Sequence, residues 1–243
     1  RGDGAGVVEW VAVVGVSGSA GLMPDALPHP WPTTPREAIA LQESLRGRVI
    51  ERNTLGDVRL VAGTDVGFED GGQTTRAAVV LLSFPDLALV ASRIARRPTS
   101  FPYVPGLLAF RELPAVLEAL GSLDDQPDLL LCDGHGRIHP RRFGLACHMG
   151  VATGIPTIGV GKSHYLGQYE PPGPNRGDWN PVIDRGEVVG ATVRTRLNVR
   201  PIYVSVGHGV DLASAVAYTL RCVTRYRLPE PTRLAHQHAS RLV

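Results

Sequence analysis

Apolar residues recur at helical spacing from Ala38 through Leu41 and Leu45 to Val49, directly behind the polar run Thr34-Pro35-Arg36-Glu37. A threonine followed three residues later by glutamate is a capping box, and a proline in the first turn has no amide hydrogen to lose, so a helix begins here. The period then changes. Runs at about 58–66, 75–83 and 87–95 read as strands, separated by the turn-rich FEDGGQT and by SFPD. Links that short make the three runs an antiparallel meander. A helix over about 106–120, bent near Pro114, comes next, followed by an apolar strand over 128–133, a helix over 141–152 and a strand over 155–161. Two strands near 188–195 and 201–206 and a helix over about 211–226 complete the pattern. Three antiparallel strands followed by alternating helix and strand predict an α/β fold, a mixed sheet with helices packed on it.

The first residues fit this scheme poorly. Residues 7–16 (VVEWVAVVGV) resemble a strand, and the GVSGSAG that follows imitates a dinucleotide-binding turn. Such a turn must open a helix, which Pro24, Pro28, Pro30, Pro32 and Pro35 forbid. The flank is acidic, with Arg1 against Asp3, Glu9 and Asp25, which does not suit a secretory signal. Residues 1–28 are therefore expected to lie outside a fold that occupies 29–243.

Composition adds boundaries. With 43% hydrophobic and 20% charged residues the chain is not a disordered polymer, and no apolar run reaches the roughly 18–20 residues of a membrane helix. Cys132, Cys147 and Cys222 are odd in number and form no CxxC pair, which fits small core residues in a reducing compartment, so a cytoplasmic protein is expected, a monomer by default. From Gly190 onward eight arginines stand against Asp211 and Glu230, giving +6, a candidate phosphate-facing surface or a solvated basic face.

The densest chemistry lies in DLLLCDGHGRIHP, residues 128–140. An apolar strand stops on Asp133, at the carboxyl end where α/β proteins place ligands and metals. Asp65 ends a similar run in VAGTDVGF, and if the two strands are neighbours the acids face each other. Two such carboxylates ionise together only around a cation, and oxygen ligands suit Mg²⁺ or Mn²⁺. Glu112, in AFRELP, is a third candidate. Lys162 is the only lysine beside 24 arginines, and follows IGVG at a strand end, where a compact ammonium suits a scissile phosphate better than a planar fork. A zinc site at His135 and His139 fails on context, because that spacing needs a helix and here it falls among Gly134, Gly136 and Pro140. Cys147 and His148 are adjacent on a helix, point apart, and form no dyad.

Seven motifs in order resemble endonuclease V, a repair nuclease for deaminated bases with an RNase H-like fold. They are GTDVGFEDGG, TRAAVVLLSFPDLALV, FPYVPGLLAFRELPA, PDLLLCDGHGRIHPRRFGLACHMG, IPTIGVGKS, SVGHGVDL and RLPEPTRLAH, covering about Pro30 to Ser240. The resemblance implies an RNase H-like mixed sheet, its first three strands antiparallel and the rest parallel, in which Asp65, Glu112 and Asp133 hold one or two Mg²⁺ ions. It implies His139 as a water-positioning group, Lys162 as a charge-stabilising one, and His236 as a further histidine of the active site. It implies that Tyr103, stiffened between Pro102 and Pro105, wedges into the base stack, while Gly134, Gly136 and Gly161 let backbone approach a flipped hypoxanthine. Arg141 and Arg142 are implied as DNA contacts. The implied substrate is DNA containing deoxyinosine, with inosine-containing RNA as a second candidate.

Two departures from the family pattern stand out. After Lys162 the chain reads SHYLG, so Tyr165 or Leu166 takes the pocket position commonly aliphatic in the family; and Ala213 stands where an acid often follows Asp211, leaving Asp211 as a helix cap or a fourth carboxylate. Two other functions compete. A junction or flap nuclease would share the metal site without a base pocket, which the Tyr103 wedge opposes. A catalytically silent nucleic-acid-binding module is opposed by the three acids and Lys162 together.

Overall fold

The computed structural model describes residues 29–240; the expected extension over residues 1–28 lies outside the described residues. Its helices are α1 (Pro35–Leu45), α2 (Leu108–Gly121), α3 (Leu145–Thr153), α4 (Leu212–Arg221) and α5 (Glu230–Ser240). Its strands are β1 (Leu60–Glu69), β2 (Thr74–Ser83), β3 (Leu89–Pro98), β4 (Leu129–Asp133), β5 (Thr157–Gly161), β6 (Trp179–Asp184), β7 (Glu187–Val193) and β8 (Ile202–His208). They form one sheet in the order β3-β2-β1-β4-β5-β8-β7-β6. The α/β class is as expected, with the parallel part limited to the pairs β1–β4 and β4–β5. Beyond β5 the pairing is antiparallel again.

Alternation along the central strands divides the core in two. Leu129 and Leu131, with Ile158, Val160, Val204 and Val206, pack toward the side of α4 and α5. Leu130 and Cys132, with Val79, Leu81, Leu113, Val116 and Met149, pack toward α2 and α3. Such near-continuous apolar strands are what burial on both faces demands. All three cysteines are buried free thiols.

Helix α1 starts as its sequence predicts. Thr34 Oγ1 accepts from the Glu37 amide at 3.3 Å, and Glu37 Oε2 accepts from the Thr34 amide at 3.1 Å. Two elements were not expected. Strand β6 contains Pro181, which an edge strand tolerates because one side of its backbone needs no partner. The expected helix over 211–226 stops at Arg221, and a separate α5 carries Pro231 in its first turn, where a missing amide hydrogen costs nothing. Among the described residues no helix is long and apolar enough to cross a membrane.

The core also contains a titratable group. His148 on α3 is fully buried among Trp31, Phe110 and Phe143, its Nε2 lying 2.7 Å from His29 Nε2. Burial, and secondarily His29, pushes its pKa down to about 3. The folded protein thus keeps His148 neutral, while the unfolded chain takes up a proton below about 6.5. Stability is therefore lost as pH falls through that window, by about 2 kcal/mol from this residue at pH 5. Denaturant unfolding at pH 7 and pH 5 should show a smaller acid loss for His148→Phe than for the wild type; equal losses would contradict this assignment.

Candidate active site

Strand register builds the centre. Thr64 on β1 lies opposite Cys132 on the parallel β4, so the next residues sit side by side: Asp133 at the tip of β4 and Asp65 midway along the longer β1. Alternation puts both on the α5 face, together with Gly63 and Leu131, and the same parity from Ile158 and Val160 carries Lys162 to that face. Asp65 and Asp133 side chains are each only 12% exposed. His236 on α5 donates from Nδ1 to Asp65 Oδ2 at 2.5 Å, and the Lys162 ammonium pairs with Asp133 Oδ2. Ligand atoms of Asp65, Asp133 and His236 all lie within 4.8 Å of one another.

Glu112 projects from α2 into the same hollow, though outside that tightest trio. Burial first, then the charges of Asp65 and Asp133, raise its pKa to about 8. Burial, with Asp65 second, raises that of Asp133 to about 6 even though Lys162 pulls the other way. Glu112 and Asp133 thus resist ionisation, and a divalent cation would remove the resistance.

Beside them opens a cavity of about 310 Å³, lined among others by Tyr103, Gly106, Glu112, Asp133, His135 and Tyr165. This is the size of a small-ligand site. Tyr103 stands at it 68% exposed. Tyr165 stacks on His135 with 18° between the rings, whereas Leu166 turns into a separate apolar cluster with Ile138 and Val182. Tyr165 is thus the pocket residue of the two. Asp211 caps α4, its Oδ1 accepting from the Ser214 amide at 2.7 Å.

Several of the expected site residues have partners within the protein. Of the glycines, Gly134 lines the cavity, and Gly136 and Gly161 lie with their Cα hydrogens against protein. A Cβ on Gly136 would lie 2.0 Å from the Val206 carbonyl oxygen, and one on Gly161 2.2 Å from the His135 ring. Both ring nitrogens of His139, expected to position water, have partners: Nε2 donates to Gly106 O at 2.9 Å and Nδ1 accepts from the Arg141 amide at 3.2 Å. Its pKa, lowered to about 4 chiefly by burial, keeps it in that neutral state. Arg141 and Arg142, expected at the DNA backbone, are partly exposed and held by acceptors of the protein. Arg141 donates to Gln42 Oε1 and Gly106 O, and Arg142 to Glu187 Oε2, Asp184 Oδ2 and His139 O. The basic C-terminal surface shrinks likewise. Arg194 donates to three carbonyls, Arg227 to those of Lys162 and Pro201, and Arg233 to Glu230, which leaves Arg196, Arg200, Arg221 and Arg225 as exposed cations, Arg221 lying over Phe84 and Arg225 over Tyr226. Arg241 is outside the described residues.

The family model for endonuclease V matches residues 43–237. The chain belongs to the endonuclease V family. It is 55% identical over 219 residues to endonuclease V of Azotobacter vinelandii, covering 90% of this chain and 99% of that one. With endonuclease V of Trichormus variabilis it shares 54% over 214 residues, 88% and 97% of the two chains. The crystal structure of endonuclease V from Streptomyces avermitilis superposes with a TM-score of 0.83 at 48% identity, over 88% of this chain and 94% of that one. A Ciona intestinalis endonuclease V, solved with DNA containing an inosine followed by a ribo-adenosine, superposes with a TM-score of 0.75 at 29% identity, over 84% and 94%.

As an endonuclease V the protein is a metal-dependent nuclease, and its donor set fits a metal. Two aspartates with a third carboxyl group nearby offer hard oxygen ligands, and His236 holds Asp65 in orientation as outer-shell partners of metal ligands do. One residue at the cavity escaped the sequence reading. Gln42 lines the cavity from α1 while 1% exposed. Its signal was present, since 38, 42 and 45 share one helical face and a buried amide on an apolar stripe needs partners.

Proposed function

We propose that this endonuclease V nicks DNA containing deoxyinosine, hydrolysing the second phosphodiester bond on the 3′ side of the lesion and leaving 3′-hydroxyl and 5′-phosphate ends, with Mg²⁺ as cofactor and Mn²⁺ able to replace it. The observation that supports this most is the carboxyl group cluster of Asp65, Asp133 and Glu112 opening directly onto a cavity with an exposed tyrosine beside it. Binding of inosine-containing DNA by the Ciona relative supports the substrate.

Asp65, Asp133 and Glu112 would hold the ion, and Glu112 would give up its proton to do so. A bound Mg²⁺ supplies Lewis acidity that favours deprotonation of the attacking water and offsets charge on the leaving oxygen. Water attacks phosphorus, a new P–O bond forms, and the bond to the 3′ oxygen breaks. That oxygen takes a proton and the phosphate stays on the downstream strand. Lys162, with its ammonium at Asp133, places a point charge where the phosphate acquires negative charge. The cavity would take the flipped base against the Tyr165 and His135 side, and Tyr103 would fill the gap left in the stack.

Mapping the nick on an end-labelled duplex with one inosine, with Mg²⁺, with Mn²⁺ and with chelator, tests this reading. A nick one nucleotide beyond the lesion's own 3′ phosphate, absent with chelator, is expected; cutting at unrelated positions or undiminished cutting in chelator would contradict it. An inosine-RNA arm reads the preference between the two nucleic acids. Tyr103→Ala should weaken affinity for the inosine duplex by about 1–3 kcal/mol, the worth of one stacked base, and affinity for the unmodified duplex by less. Equal losses on both duplexes would remove the wedge role.

A further inference from the structure

Three donors converge on one carbonyl beside the cavity. The Gly106 oxygen accepts from Gln42 Nε2 at 3.0 Å, from His139 Nε2 at 2.9 Å and from Arg141 Nη2 at 3.0 Å. A carbonyl oxygen has two lone pairs, so three donors, one of them a guanidinium, make a crowded and strongly polarised junction. Gly106 closes the short loop that carries Tyr103, and its φ of +81° is a backbone state that suits glycine. His139 and Arg141 belong to the loop between β4 and α3, which also supplies Gly134 and His135 to the cavity.

Gln42 joins these two loops from a third element. Its Nε2 also donates to Phe143 O at 3.1 Å, and its Oε1 accepts from Arg141 Nε at 2.5 Å. One buried amide therefore ties the Tyr103 loop, through Gly106, to both ends of the turn formed by residues 139–143. The latter turn is itself held from outside, because Arg142, at φ +58°, pairs with Asp184 and Glu187 at the tip of the β6–β7 hairpin.

We propose that Gln42 is a positioning residue for base recognition: it pins the Tyr103 loop to the β4–α3 loop so that the exposed aromatic and the cavity wall act as one rigid body. Extruding a base from a duplex costs a few kcal/mol, and an aromatic on a loosely held loop would lose part of its stacking gain to its own ordering. A pinned loop has that ordering built in. The proposal rests on the inosine reading for its consequence in DNA and on the geometry alone for the pin.

The test uses Gln42→Glu, which keeps shape and the acceptor for Arg141 but replaces the amide donor, and Gln42→Met, which keeps volume and removes every bond; Arg141→Lys is a third variant should either fold poorly. Single-turnover cleavage is measured on inosine in a duplex and on inosine in a single strand, where no stack has to be opened. The ratio of duplex to single-strand rates should fall about tenfold in each Gln42 variant. Equal slowing on both substrates, as a general loss of structure would produce, overturns the proposal. Amide hydrogen exchange reads the pin without any substrate: the 101–107 amides should exchange faster in the variants while those of β4 keep their protection. Unchanged exchange over 101–107 would refute the pin, whereas faster exchange in a protein whose wild type ignores inosine would refute the substrate reading and leave the pin standing.

Discussion

Replacing Asp133 with asparagine should cut cleavage of an inosine duplex by about a thousandfold or more while leaving the protein folded and able to bind DNA. The substitution keeps the shape of the strand tip and removes one charge from the most crowded position of the site. A metal supplies several kcal/mol of transition-state stabilisation to phosphoryl chemistry, and each 1.4 kcal/mol is a factor of ten. Folding has little to lose, since burial and Asp65 already hold Asp133 near a pKa of about 6, and a neutral amide there removes a strained charge. Single-turnover rates, thermal unfolding and DNA binding, measured together, check all three parts. A variant that still cuts within about tenfold of the wild type would show that Asp133 is no metal ligand.

Gly63→Ala should be more damaging to the fold than its size suggests. A Cβ at Gly63 would sit 2.1 Å from the carbonyl carbon and oxygen of Pro231 and 2.7 Å from the Thr232 nitrogen. All three are backbone atoms in the first turn of α5, so no side chain can swing aside, and α5 must move off β1. Overpacking a core by a methyl group typically costs about 1–3 kcal/mol, and here about 3 kcal/mol or more is expected. The displacement also reaches the chemistry, because α5 carries His236 to Asp65. Denaturant unfolding and cleavage rate should therefore fall together. Wild-type stability with wild-type activity would contradict the packing of α5 on β1.

These two positions show what a sequence can and cannot disclose. Asp65 and Asp133 were legible because each ends an apolar run; Asp133 does close its strand, where such folds hold ligands, whereas β1 continues past Asp65 to Glu69. Helix α1 was legible from a capping box, which is local chemistry. Gly63 was not, since its reason for being glycine is a helix more than 160 residues away that begins in a proline-rich segment with little apolar content. Strand β6 was hidden by Pro181 for a related reason: a local rule against proline is relaxed at a sheet edge, and only the assembled sheet says where the edge is.

The glycines and arginines around Asp133 carried a different ambiguity. Gly136 and Gly161 signal close approach, yet not what approaches, and the answer is Val206 and the His135 ring. Arg141 and Arg142 signal strong donors, and the nearest acceptors prove to be Gln42, Gly106, Asp184 and Glu187. The same guanidinium chemistry that grips phosphate ties down the loop facing the cavity. Residue type was readable in both cases, and the partner was not.

The central claim is that one site joins a metal-holding carboxyl group cluster to a pocket for a flipped hypoxanthine. Single-turnover cleavage by the wild-type protein in Mg²⁺, on two duplexes identical except for inosine or adenine at one position, tests it most directly. Rapid nicking of the inosine strand at a single bond on the 3′ side is expected, with a rate at least about a hundredfold lower on the adenine duplex, about the discrimination that a few unmatched hydrogen bonds provide. Equal rates on the two duplexes would contradict it.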